Sequence, residues 1–172
     1  MRVETFSPLR FPVGDLLHRV GARREISAEA EVEVDLEGAR VHGPVTVTGV
    51  LEAMVDGIVA TIDLAIPAHL TCNRCLGEWD TPLNARFVHV FADRLDDEAS
   101  PIQPDDSVDL SDVVHDEVAL ALPMAPLCRS DCAGLCPACG TDLNSDPCLG
   151  HDDESPADPA SPFSALGQLL DH

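Results

Sequence analysis

The sequence predicts an α+β fold rich in β-structure: an antiparallel sheet or open barrel with one covering helix and a C-terminal cysteine-rich module. Three observations carry that prediction. Stretches between residues 28 and 91 alternate apolar and polar side chains with a period of two, the mark of strands that bury one face. A single segment, about 110–122, has the spacing of an amphipathic helix instead. Five of the seven cysteines fall between Cys128 and Cys148, a density far above chance in a chain of 172 residues.

Taken in order, residues 1–24 carry Pro8, Pro12 and Gly14; Phe6, Leu9 and Phe11 suit an edge strand, and residues 15–20 a short helical turn. From Ala28 to Glu37 the alternation is strict. Ala28, Ala30, Val32, Val34 and Leu36 face one way, and Glu29, Glu31, Glu33, Asp35 and Glu37 the other, as a charged guard on a strand. Residues 45–55 and 58–66 alternate on either side of Asp56-Gly57, a favoured two-residue turn. In the same phase Ala68, Leu70 and Cys72 stay on the inner face, so the strand ends on a first cysteine pair, Cys72-Asn73-Arg74-Cys75. A third strand is expected from about Leu83 to Phe91, which puts that pair at the tip of a second hairpin. The acidic stretch 92–106, with Pro101 and Pro104, reads as an exposed loop. The helix follows: Asp109 or Ser111 as cap, Leu110, Val113, Val114, Val118, Ala121 and Leu122 as its stripe, Pro123 as its stop.

The cysteine stretch reads Cys128-x3-Cys132-x3-Cys136-Pro137-Ala138-Cys139-Gly140, then Cys148. Thiolates two or three residues apart can wrap one tetrahedral cation, and Cys-Pro-x-Cys-Gly is a strong form of such a turn: Pro137 pre-sets one dihedral and Gly140 permits a left-handed one. Zinc is the expected cofactor. One partition joins Cys72, Cys75, Cys128 and Cys132 in a first site, and Cys136, Cys139 and Cys148 in a second with His151 as fourth ligand. A rival partition joins the two Cys-x2-Cys knuckles, 72/75 with 136/139, as a zinc ribbon does. The expected organisation is a β-rich body over 1–127, a zinc module over 128–151 packed on the 72–75 knuckle, a disordered linker over 152–162 and a short helix over 163–172, where Phe163, Leu166, Leu169 and Leu170 keep helical spacing.

Two other chemistries compete for these cysteines. A thiol oxidoreductase or redox sensor would use Cys72 and Cys75, but such a dithiol is activated at a helix N-terminus after a strand, and here strands flank the pair. A catalytic zinc would want three protein ligands and an open position, whereas a surplus of thiolates favours closed sites. The expectation is therefore a protein that is not an enzyme and takes no small-molecule substrate. The other histidines show no ligand spacing, and Trp79 is expected to pack over the first knuckle.

The formal net charge is −21, from 31 acidic residues against 10 basic ones, every one of them arginine. A charge of that sign opposes a broad phosphate-binding face, so direct RNA contact is not electrostatically favoured. It favours basic protein partners through complementary fields. Arg74 and Arg129, the arginines inside the cysteine motifs, are expected to pair locally. No segment approaches a membrane span and residues 1–20 hold no apolar run of signal-peptide length, so no membrane association and a cytoplasmic location are expected.

Three stretches together resemble the YceD family, the large ribosomal RNA subunit accumulation proteins. They are Cys72-Asn73-Arg74-Cys75-Leu76 at a strand end, the capped segment from Val108-Asp109-Leu110 to Ala121-Leu122-Pro123, and Cys132-Ala133-Gly134-Leu135-Cys136-Pro137-Ala138-Cys139-Gly140-Thr141-Asp142-Leu143-Asn144. Pro162-Phe163-Ser164-Ala165-Leu166 is similar to the family's closing motif. The resemblance spans roughly residues 40–170 and implies a non-enzymatic factor needed for large-subunit ribosomal RNA to accumulate. Combined with the charge, it implies action through a ribosomal protein or assembly factor of the large subunit. Family members often finish the cluster with Cys-x-Cys; here Cys148-Leu149-Gly150 lacks the second thiol, which is why His151 is proposed as a ligand.

Overall fold

The computed structural model describes residues 8–92, 99–148 and 150. His151, the expected linker 152–162 and the expected helix 163–172 lie outside the described residues. By contact density the chain divides into two units, with the boundary between Cys132 and Ala133.

The first unit is built on two 15-residue strands, β6 (Gly57–Thr71) and β7 (Glu78–Ala92), paired antiparallel from Gly57↔Ala92 to Thr71↔Glu78. On its other side β6 carries β5 (Val45–Ala53) and then β4 (Ala39–Val41), which forms a small hairpin with β3 (Asp35–Leu36). Outside β5 lies β2 (Arg23–Ala30), and outside β7 lies β8 (Ala99–Pro101), the one parallel pairing among the described residues. Alternation does what period two predicts: Ile58, Ala60, Ile62, Leu64 and Ile66 are buried, while Asp63 and Ala65 between them are exposed.

The inner face is covered by helix α1 (Ser111–Ala121) and a two-stranded ribbon of β1 (Arg10–Pro12) with β9 (Ser107–Asp109). Val114 and Val118 of the helix and Leu9, Val13, Leu16, Val108 and Leu110 join the sheet's side chains in one core. The residue before the helix, Leu110, offers no side-chain cap. Asp109 supplies it from one position back, its carboxylate accepting from the Ser111 amide at 3.0 Å and the Ser111 hydroxyl at 2.6 Å. The helix ends before Pro123, as its missing N–H requires.

Four expectations need correction. The strand expected over 28–37 starts earlier, at Arg23, and stops at Ala30; pairing resumes only in the β3–β4 hairpin, which turns on Gly38 at φ +80°. The first hairpin turns on Val55-Asp56, with Met54 N–H donating to the Gly57 carbonyl at 2.8 Å. Gly57 is needed for a different reason: a Cβ there would sit 2.0 Å from the Phe91 carbonyl oxygen. Strand β7 begins at Glu78, not Leu83. Pro67 falls where β6 passes from β5 to β4, and Pro82 where β7 has no further strand beside it among the described residues, so neither missing N–H breaks a ladder. Finally, residues 99–101 of the expected loop form β8, which pairs with β7, and Ser107–Asp109 just beyond it form β9, which pairs with β1.

Two outcomes follow from this packing. Gly57→Ala should destabilise the protein by about 2 kcal/mol or more, read from urea unfolding, because backbone rather than a yielding side chain meets the added methyl. His89 is half-buried on the inner face, its Nε2 2.8 Å from Ser100 Oγ, and burial holds its pKa below 6.5. The folded chain thus resists a proton that the unfolded chain accepts, so its contribution to stability is intact above pH 6.5 and falls as pH drops from there towards the lowered value. The urea midpoint of wild type should fall more between pH 7.5 and 5.5 than that of His89→Gln.

Candidate metal centre

Strand β6 delivers Cys72 to the end of the inner face, wholly buried. There the chain turns within six residues: Leu76 N–H donates to the Cys72 carbonyl at 2.9 Å and Cys72 N–H to the Gly77 carbonyl at 2.8 Å, with Leu76 in the left-handed region at φ +57°. That turn swings Cys75 alongside Cys72. The segment following α1 then passes over the knuckle, with the Pro126 carbonyl accepting from the Asn73 amide at 2.9 Å and the Cys132 carbonyl from Arg74 Nη1 at 2.9 Å. These two bonds bring up Cys128 and Cys132.

The result is a group of four thiols, Cys72, Cys75, Cys128 and Cys132, whose sulfurs all lie within 4.8 Å of one another. Cys72 Sγ stands 3.8 Å from Cys132 Sγ and Cys75 Sγ 3.7 Å from Cys128 Sγ. Sulfurs about 2.3 Å from a central zinc at tetrahedral angles are about 3.8 Å apart, so these separations suit one cation in their midst. All seven cysteines are free of disulfides.

The electrostatics fit the same conclusion. The backbone amides of Cys128 and then Cys75, aimed at Cys72, hold its pKa at about 6 against an ordinary 9.0. Cys128 stands at the other extreme, pushed up to about 12 by desolvation and then by the thiols of Cys75, Cys132 and Cys72. One sulfur ionises readily while desolvation and the neighbouring thiols hold another protonated. A divalent cation removes that conflict, because it deprotonates coordinating thiols outright.

The second unit holds the other group, Cys136, Cys139 and Cys148, again within 4.8 Å of one another. Cys148 Sγ lies 3.6 Å from Cys136 Sγ and 4.0 Å from Cys139 Sγ. The turn has the expected form: Gly140 adopts φ +74°, its N–H donates to the Cys136 carbonyl at 2.8 Å, and Cys136 N–H donates to the Thr141 carbonyl at 2.8 Å. The amides of Cys139 and Ala138 lower the Cys136 pKa. Asp142 and Asn144 brace the loop, Asp142 accepting from the Asn144 amide at 3.0 Å and Asn144 Oδ1 from the Ala133 amide at 2.8 Å.

Arg129 lies 3.4 Å from Asp131, and Arg74 is engaged with Cys132, so both arginines have local partners. Trp79 is half-buried against the core beside Leu70. Sequence reasoning missed the clasp made by the Asn73 amide and the Arg74 guanidinium; the arginine between the paired cysteines was its only visible signal.

Fold and thiol groups together define a β-rich protein with two sulfur clusters able to hold metal ions. The chain belongs to the YceD family, whose model, described as large ribosomal RNA subunit accumulation protein YceD, matches residues 60–170. The chain is also similar to uncharacterized proteins of Mycobacterium bovis and Mycobacterium tuberculosis, 29% identical over 161 residues that cover 87% of this chain and 78% of each relative. A Mycobacterium leprae relative, likewise uncharacterized, is 29% identical over 157 residues, covering 85% and 72%. No solved structure matches the chain significantly. The family description names an accumulation factor and not an enzyme. No helix among the described residues is long and apolar enough to cross a membrane.

Proposed function

We propose that this chain is a non-enzymatic, zinc-binding accessory factor of large-ribosomal-subunit biogenesis that acts through a basic protein partner. The observation that carries the reading is the closed group of four thiols in a member of this family: four sulfurs leave a bound cation no open position for substrate or water. In this reading zinc sits among Cys72, Cys75, Cys128 and Cys132, and a second zinc is held by Cys136, Cys139, Cys148 and His151. The strongly acidic chain then meets the ribosomal precursor through a basic protein rather than through phosphate.

A redox role for Cys72 and Cys75 has less to support it, since the pair stands in a turn between antiparallel strands and Cys72 is wholly buried. Gradient sedimentation of extracts at low salt tests the proposal. The chain should travel with large-subunit precursors and detach as salt rises; a chain that stays at the top of the gradient in low salt contradicts it.

A further inference from the structure

Residues 31–34 continue the alternation of β2 without continuing its pairing with β5, and the Val34 carbonyl instead accepts from Val41 N–H at 3.0 Å. Glu31 and Glu33 are exposed, Val32 is half-buried and Val34 buried, so period two persists in the folded chain. Yet β2 ends at Ala30, and no strand lies beside Glu31, Val32 or Glu33 among the described residues. Against this stretch opens a cavity of about 430 Å³. The buried side chains of Leu9 and Ala30 and half-buried Val32 line it, and Glu31, Glu33 and His115 flank it.

We propose that this groove seats an extended basic segment of a partner protein, added as a strand along Glu31–Glu33. An unpaired edge offers main-chain donors and acceptors to an incoming strand, while a pocket beside it takes alternate side chains. In a strand those alternate side chains leave on opposite faces, so a segment alternating apolar and basic residues would place the first kind in the cavity and the second beside Glu31 and Glu33. The acidic flank and the net charge of −21 select a basic occupant and repel nucleic acid. The volume accepts a few side chains and not a folded domain. The inference deepens the function proposed above and rests on its basic protein partner.

A fluorescein-labelled octapeptide of alternating arginine and valine, titrated into the full zinc-loaded chain at low salt and followed by anisotropy, tests the groove. Saturable binding is expected, with amide exchange slowed at residues 31–33. The double variant Glu31→Arg/Glu33→Arg should weaken binding about tenfold, whereas Glu25→Arg/Glu29→Arg, the same charge change on exposed positions of β2, should alter it less than about twofold. Equal losses in the two variants, unchanged exchange at 31–33, equal binding of an alternating glutamate–valine peptide, or no saturable binding would each overturn the proposal. So would binding seen only after residues 1–7 are deleted, because the chain's own N-terminal segment would then be the occupant. Sedimentation with ribosomal precursors reads the function separately: a silent groove with intact co-sedimentation removes the groove alone.

Discussion

Replacing Cys72 with serine should lower the thermal midpoint by about 10 °C or more and strip the metal from the first site. Cys72 is the inner-face residue that follows the end of β6, it is 0% exposed, and its sulfur is 3.8 Å from that of Cys132. Apart from metal, the segment 126–132 is tied to the knuckle by backbone-carbonyl bonds from Asn73 and Arg74 and by the Cys128 amide aimed at Cys72. Such bonds contribute only about 1 kcal/mol each, far less than metal closure of a structural site. A strong zinc chelator should therefore bring the wild-type midpoint down at least as far as that of Cys72→Ser and leave the variant's first site nothing further to lose. Calorimetry with and without chelator reads both. If chelator leaves the wild-type melt unchanged, the sulfurs are packing groups and not ligands.

Phe91→Ala should cost about 4 kcal/mol, again roughly 10 °C in thermal midpoint. Phe91 is 1% exposed, stands opposite Ile58 across β6 and β7, and meets the His89 ring edge-on at 5.0 Å between centroids. The cavity it would leave is bounded by two long strands that are fixed along their whole length, so collapse around it is restricted. Zinc content should be unchanged in this variant. That combination, a large loss of stability with metal retained, separates the core from the metal centre; equal losses of both would mean the two are one cooperative element.

The features legible in the sequence are those with a long period or a rigid local rule. Five alternating residues from Ile58 to Ile66 define β6, and Cys-Pro-x-Cys-Gly defines its own turn. Three-residue strands such as β1, β8 and β9 are too short to show a period and exist because a distant partner lies beside them. Arg23-Arg24-Glu25 hides the start of β2, where Arg24 faces inward but turns its guanidinium to Asp15 and the Pro12 carbonyl. Pro67 and Pro82 sit inside β6 and β7 where no further strand needs their N–H, and a sequence cannot say which side of a strand lacks a neighbour. At the candidate metal centre, spacing singled out the cysteines that the fold gathers into two groups. It left the partition open, since bringing Cys72 and Cys75 to Cys128 and Cys132 depends on where the end of a long hairpin meets the chain leaving a helix.

The most direct test is the metal content of the double variant Cys139→Ser/Cys148→Ser, purified without chelator and measured by elemental analysis alongside X-ray absorption at the zinc edge. With the second group disabled, the account predicts about one zinc per chain, bound by four sulfurs at about 2.3 Å. A variant that is folded but holds no zinc, or holds it through nitrogen and oxygen, would contradict the proposal that Cys72, Cys75, Cys128 and Cys132 close on a single ion.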